Sequence, residues 1–200
     1  MKKSPPIYRT QAFTLLELLV VIAIIGILAG LMFPAATGIL KKAENTHAST
    51  TSYNLKSAIS AYFTEYRKYP VDSGSSASET EEIRTDRTLM DVLLGADSQK
   101  ESGGLNPRGI SFYTDKAAKP LGGGKFRKGV TLEDDGGGEL WDPWGEYYYV
   151  RMDLDYNNRT ERPTWDDAGS SSRFVPESIL IWSSGPDKDE TAAKDNVKTW

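Results

Sequence analysis

The chain has 200 residues, a formal net charge of −4 and no cysteine. The lack of cysteine excludes a disulfide framework and a thiolate metal site. With one histidine, His47, there is little basis for histidine catalysis or a zinc site, and the mild acidity argues against a nucleic-acid partner, which attracts clustered basic residues.

Residues 13–33 form a run of 21 residues that is apolar except for Thr14 and Glu17. As a helix this run would be about 31 Å long, close to the roughly 30 Å hydrocarbon core of a bilayer. The preceding segment, 1–12, is basic and contains no acid. Because basic residues hold their end of an apolar segment in the cytoplasm, we predict a single-pass protein of the inner membrane with its C-terminal domain in the periplasm.

Three interpretations of the N-terminal segment 1–33 compete. A secretory signal peptide has a shorter apolar core of about 7–15 residues, followed by a small-residue cleavage site. A plain membrane anchor fits the length but leaves Glu17 unexplained. An ionisable residue inside a membrane segment is a candidate functional residue, because burying it without a partner is costly.

The third interpretation comes from a resemblance. Residues 11–17, Gln-Ala-Phe-Thr-Leu-Leu-Glu, resemble the class III (type IV prepilin) signal, in which prepilin peptidase removes a basic leader and methylates the new N-terminus. The resemblance implies a leader at 1–12, cleavage between Ala12 and Phe13, and N-methylation of Phe13. Ala12 stands where the family usually has Gly, and Pro34 falls where such helices commonly carry a proline.

Glu17 then has two possible roles. Cleavage would expose a positive α-amine at Phe13, and in a stack of helices Glu17 of one subunit would face the amine of a neighbour. Such a pair sets axial register, although it need not add net stability. Alternatively, the carboxylate is simply favoured by the helix N-terminus, an effect of about 0.3–1 kcal/mol when exposed.

Beyond the apolar segment 13–34, the helical pattern continues as an amphipathic half over residues 35–69. Its apolar stripe, expected to pack on a domain core, consists of Ala48, Ser52, Leu55, Ile59, Tyr62 and Tyr66. Tyr69-Pro70 should end the helix, since the residue before a proline resists the α conformation.

Residues 70–141 are predicted to be a variable loop region with one short helix. The helix spans Leu89 to Leu94, with a cap at Thr85 or Asp86 and a stop at Gly95. Within the same region we expect a strand at Ile110–Tyr113 and a flexible exposed loop at 117–128.

Residues 142–200 are predicted to form a small antiparallel sheet of three or four strands that packs on the helix. Its best strands are Glu146–Met152 and Ser178–Trp182. The Asp-Pro-Trp-Gly that begins at Asp142, the Ser-Gly-Pro-Asp that begins at Ser184 and the final Asp-Asn-Val-x-x-Trp together resemble the major pseudopilins of type II secretion systems. The resemblance implies an α+β, type IV pilin-like fold shaped like a lollipop.

Major pseudopilins close this end of the domain with a calcium ion, whereas many type IV pilins use a disulfide. Calcium takes 6–8 oxygen ligands from carboxylates, carbonyls and water, and the loop 184–196 is rich in such oxygens. By resemblance, the ligands would be Asp187 and Asp195, then Asn196, with Asp189 a weaker candidate. The alternative is an acidic, solvated turn.

The function implied is that of a structural subunit rather than an enzyme, since no nucleophile–base pair or cofactor loop stands out. The subunit would be processed by prepilin peptidase and polymerise with itself into a filament that supports protein export. Its other partners would be the membrane, the inner-membrane components and the minor pseudopilins of a type II secretion system. The alternatives are a type IV pilus subunit or adhesin, and a membrane-anchored extracytoplasmic binding module.

Overall fold

A computed structural model of the chain describes residues 13–72, 82–166 and 172–200, with only the backbone of 31–37. The chain divides into two compact units, with the boundary between Lys42 and Ala43. The predicted leader, 1–12, and therefore Ala12, lie outside the described residues.

The N-terminal unit consists, where described, of the first part of helix α1, which runs from Leu15 to Tyr66. Its large apolar side chains between Phe13 and Leu28 are exposed to about half or more of their surface. Among the described residues, no helix combines the length and apolar character needed to cross a bilayer. The membrane-spanning helix predicted for 13–34 is therefore not confirmed.

The C-terminal unit begins with the rest of α1, which carries the predicted apolar stripe. Ala48, Ser52, Leu55, Ile59 and Tyr62 are all fully buried, and Tyr66 is half-buried. The helix ends at Tyr66, and Arg67 takes a positive φ of 57° just before Tyr69-Pro70. The prediction of an amphipathic helix that stops before Pro70 is confirmed.

The remaining elements of the C-terminal unit are one helix, ten short strands and two 3₁₀ turns in the described residues. They are β1 (Ile83–Arg84), α2 (Arg87–Leu94), β2 (Lys119–Gly122), β3 (Lys125–Arg127), β4 (Gly129–Leu132), β5 (Gly138–Trp141), β6 (Tyr149–Met152), β7 (Thr160–Glu161), β8 (Phe174–Val175), β9 (Ile179–Ser183) and β10 (Val197–Lys198), with the 3₁₀ turns at Asp97–Gln99 and Thr164–Asp166.

The main sheet has four antiparallel strands in the order β1-β6-β9-β10. Successive side chains of a strand point to opposite faces. One face of the sheet buries Val150, Met152 and Ile181 in the same core as the α1 stripe. The other buries Tyr149, Leu180 and Trp182 in a second, aromatic core. The predicted α+β fold with an antiparallel sheet is confirmed, and burial of both faces explains why β9 is apolar from Ile179 to Trp182.

Helix α2 is confirmed with its predicted end at Leu94, but it begins at Arg87, two residues before the predicted start, and Asp86 rather than Thr85 is its N-cap. The Asp86 carboxylate accepts a hydrogen bond from the Thr88 N–H at 2.9 Å, and Gly95 closes the helix with a φ of 79°. Leu89, Met90 and Leu93 of α2 are buried in the main core. The region 70–141 thus supplies core residues and the edge strand β1 as well as loops.

Two local predictions in this region are wrong. Ile110–Tyr113 is not a strand, because the amides of Phe112 and Tyr113 both donate to the Leu93 carbonyl at the end of α2. Residues 117–128 are exposed, as predicted, but they contain the hairpin β2–β3 rather than an irregular loop. Three consecutive glycines with positive φ, 122–124, make its tight turn.

Candidate functional site

At the N-terminal junction, Thr14 and Glu17 cap the start of α1 reciprocally. The Thr14 N–H and hydroxyl donate to Glu17 Oε2 at 2.9 and 2.8 Å, and the Glu17 N–H donates to Thr14 Oγ1 at 3.2 Å. This pattern is a capping box, which satisfies amides that a helix start otherwise leaves unpaired. In a single copy of the chain, Glu17 therefore has a local role at the helix N-terminus.

The other residues predicted at this junction are only partly described. Phe13 precedes the capping box, is 75% exposed and lies four residues before Glu17 in the sequence. Pro34 lies inside α1, whose backbone continues as helix on both sides of it. Pairing of Glu17 with the amine of a neighbouring subunit stays a prediction.

The C-terminal acidic loop, residues 184–196, joins β9 to β10. Asp187 Oδ1 accepts from the Asp189 N–H at 3.0 Å. Asp189 Oδ1 accepts from the hydroxyl and N–H of Thr191 at 2.6 and 3.0 Å, and these bonds lower the pKa of Asp189. One carboxylate oxygen of Asp187 and one of Asp189 are thus occupied in shaping the turn.

The two ends of this acidic loop touch. Gly185 has a φ of 73°, and a Cβ placed on it would clash with the carbonyl oxygen of Asp195 and come within 3.5 Å of its carboxylate carbon. Only glycine fits this approach without strain. The fold therefore brings Asp195 beside the Gly-Pro turn that leads to Asp187, although the two are eight residues apart.

The acidic loop also holds oxygen atoms that lack partners. Ser184 Oγ, Glu190 Oε2 and Asn196 Oδ1 are buried and have no hydrogen-bond partner in the described part of the chain. An unpaired buried oxygen costs roughly 1–3 kcal/mol, so a native structure usually supplies a partner. Hydroxyl, amide and carboxylate oxygens are ligands that calcium accepts, and this donor set fits the ion.

Carboxylates alone do not make a metal site here. Within 13–72, 82–166 and 172–200, no group of three or more acidic or histidine side chains is close enough to hold a metal. A calcium ion would need amide, hydroxyl and main-chain oxygens in addition. Sequence reasoning named Asn196 but missed Ser184 and Glu190, whose burial is visible only in the fold.

The Asp-Pro-Trp-Gly turn contacts the last residue of β9, just before the acidic loop. Asp142, fully buried, accepts from the Trp144 and Glu146 amides through Oδ1 at 2.8 and 2.9 Å. Its Oδ2 accepts from the Ser183 hydroxyl at 2.6 Å, and Ser183 in turn accepts from the Gly185 N–H. Burial raises the pKa of Asp142 in spite of these bonds. The Asp-Pro-Trp-Gly turn therefore supports the start of the acidic loop.

Replacing Asp142 with alanine should destabilise the C-terminal unit by about 3 kcal/mol or more, because it leaves several buried donors unpaired at roughly 1–3 kcal/mol each. Asp142→Asn keeps the acceptor for Trp144 and Glu146, and its amide can donate to Ser183, so we expect a loss below about 1 kcal/mol. Urea unfolding followed by tryptophan fluorescence measures both, since all five tryptophans lie after Lys42. Equal losses for the two variants would contradict this account.

Glu146 ties the acidic loop to the exposed hairpin β2–β3. Its Oε1 accepts from Lys125 at 2.6 Å and from Lys188 at 3.3 Å. Burial acts to raise the pKa of Glu146, but hydrogen bonds from the two lysines outweigh it and lower the pKa. Glu146 is therefore charged at neutral pH and holds both segments.

Comparison with known proteins identifies a known motif in the N-terminal segment. Residues 8–33 match the family described as the prokaryotic N-terminal methylation motif. The chain carries a prepilin-type methylation motif. This motif spans the predicted cleavage point, Phe13, Glu17 and the start of α1.

Similar proteins each match about a third of the chain. The type II secretion system core protein G of Pectobacterium carotovorum is 41% identical over 63 residues, covering 32% of this chain and 40% of that protein. The type IV major pilin protein PilE1 of Neisseria gonorrhoeae is 36% identical over 66 residues, covering 33% and 40%. The fimbrial protein EcpC of Eikenella corrodens is 35% identical over 66 residues, covering 33% and 43%.

The chain thus spans about two fifths of the length of the curated relatives that it matches. No solved structure shows a significant match. The predicted resemblance to pilins and pseudopilins is confirmed for the N-terminal segment. The relatives are named as secretion-system or pilus proteins, which agrees with a structural rather than an enzymatic role.

Proposed function

We propose that the protein is a structural pseudopilin of a type II secretion system, not an enzyme. It is inserted in the inner membrane by the apolar segment 13–34, with its C-terminal domain in the periplasm. Prepilin peptidase cleaves it between Ala12 and Phe13 and methylates Phe13. The subunit then assembles with copies of itself, the minor pseudopilins and the inner-membrane components into a filament that supports protein export.

The observation that carries this proposal is the methylation motif at the start of α1, with Glu17 held in the capping box. The motif supports processing. The capping box fixes the Glu17 carboxylate at the start of α1, beside the position at which processing would create an α-amine. The fit of the acidic loop to calcium favours the secretion role, with which the similarity to core protein G agrees.

A second candidate is a type IV pilus subunit or adhesin. The matches to a major pilin and to a fimbrial protein cover a similar share of the chain with similar identity, and so favour a pilus subunit as much as a pseudopilin. The acidic loop argues for the pseudopilin, since many pilins close this end with a disulfide and this chain has no cysteine. Restored export, as opposed to surface fibres, in a complemented deletion strain would separate the two functions.

Mass spectrometry of the membrane-extracted protein tests processing directly. We expect a mature N-terminus at Phe13, heavier by one methyl group than the unmodified residue. The matched control is the same protein from cells without prepilin peptidase, which should retain residues 1–12. An intact leader in cells that contain the peptidase would contradict the proposal and leave a plain membrane anchor.

A further inference from the structure

Two exposed leucines stand out on adjacent hairpins of the C-terminal unit. Among its described residues, the large apolar side chains that remain exposed are Tyr53, Leu121, Leu132 and Tyr156. Leu121 lies on β2 and is 44% exposed, and Leu132 ends β4 and is 67% exposed. Exposed leucines are ordinary when scattered, but these two belong to surfaces that complement each other.

The first surface is the hairpin β2–β3. All four residues of β2 are exposed, and the hairpin forms a separate sheet of two strands, which is marginally stable on its own in water. It carries Leu121 and the cation Lys119 on β2, and a second cation, Lys125, at the start of β3. Lys125 pairs with Glu146, whereas Lys119 forms no ion pair with any residue that the structure describes.

The second surface is a groove of about 460 Å³ between this hairpin and the hairpin β4–β5. Its lining includes the apolar residues Ala117, Ala118, Phe126 and Val130 and the exposed Leu132. It also includes three acids, Glu133, Asp134 and Glu139, of which Glu133 pairs with Arg87 at 3.8 Å. A groove lined by apolar and acidic residues suits an apolar side chain accompanied by cations.

We propose that the β2–β3 hairpin of one copy docks in the groove of the next copy. Leu121 enters the groove against Leu132, and Lys119 pairs with Asp134 across the interface. The two surfaces differ, so the contact is heterologous, and repetition of such a contact builds an open helix. This inference rests on the proposed function, since it names the contact between C-terminal units within the filament.

Disulfide trapping tests the contact without interference from native disulfides, because the chain has no cysteine. Leu121→Cys and Leu132→Cys are made in separate copies that carry tags of different mass, assembled together and oxidised. We expect a mixed disulfide in filaments and none in detergent-dissociated subunits, since a disulfide forms only when the two Cα atoms lie within about 7 Å. The matched control pairs Tyr53→Cys with Tyr156→Cys, which are similarly exposed and should not cross-link.

Charge reversal provides a second readout if the cysteine variants do not assemble. Lys119→Glu and Asp134→Lys should each lower filament yield, and combining both changes in one chain should restore it. Filaments without the mixed disulfide, or single losses without restoration, would overturn the contact and leave the proposed function intact. Failure of the unmodified protein to form any filament would overturn both.

Discussion

Glu17→Gln should abolish filament assembly while leaving the start of α1 intact. A capping box accepts Gln in place of Glu, so the bonds with Thr14 persist and only the charge is lost. In the proposed filament, the change leaves the α-amine of a neighbouring subunit without its carboxylate partner, and losing one partner of a buried ion pair is strongly destabilising. Association of each subunit should therefore weaken by more than about a hundredfold.

The measurement is filament yield by sedimentation and electron microscopy, with mass spectrometry to verify that Phe13 is still the mature N-terminus. Thr14→Ala is the matched control, since it removes the cap and keeps the charge. That change should cost only about 0.5–2 kcal/mol at the helix start, so filaments should still form. If Glu17→Gln assembles like the unmodified chain, Glu17 acts only as a cap, and pairing with a neighbour's amine is wrong.

Calcium should raise the melting temperature of the C-terminal unit by about 5–10 °C. A ligand at a hundred times its Kd stabilises a protein by about 2.7 kcal/mol, and each kcal/mol shifts the melting temperature of a protein of this size by about 2–4 °C. The ion would neutralise the carboxylates of the acidic loop and give partners to the unpaired oxygens of Ser184, Glu190 and Asn196. Tryptophan fluorescence of the full chain, with calcium or with a chelator, reports the change.

Variants locate the effect of calcium. Asp195→Ala and Asn196→Ala should each reduce or abolish the shift, because each removes an expected ligand. Asp134→Ala removes an acid from the turn between β4 and β5, outside the acidic loop, and should leave the calcium-dependent shift in melting temperature unchanged. Magnesium should replace calcium poorly, since it demands a tighter octahedral site. Equal melting temperatures with calcium and with chelator would show that the loop is an ordinary acidic turn.

The helices of this protein can be predicted from the sequence because their signals are local. The stripe from Ala48 to Tyr62 repeats with the helical period, and Pro70 limits where α1 can end. Asp86 and Gly95 bound α2 through contacts within one turn of the chain. The methylation motif is likewise a short contiguous pattern, so its residues are recognisable in the sequence itself.

The strands are harder to predict because pairing depends on distant residues. The β2–β3 hairpin has no apolar alternation, and its glycines favour a loop. Ile110–Tyr113 has the composition of a strand, but the carbonyl of Leu93 captures the amides of Phe112 and Tyr113. In both cases the tertiary neighbours, rather than intrinsic propensity, decide the local structure.

Sequence alone therefore determined the methylation motif, the two helices and the approximate place of the acidic loop. Only the tertiary structure decided that Asp142 supports Ser183 and that Gly185 touches Asp195, and only it exposed the unpaired oxygens of Ser184 and Glu190. The physical reason is the separation along the chain over which each kind of interaction acts. Helix periodicity and caps act between residues at most a few positions apart, whereas burial and strand pairing depend on which distant segments fold against each other.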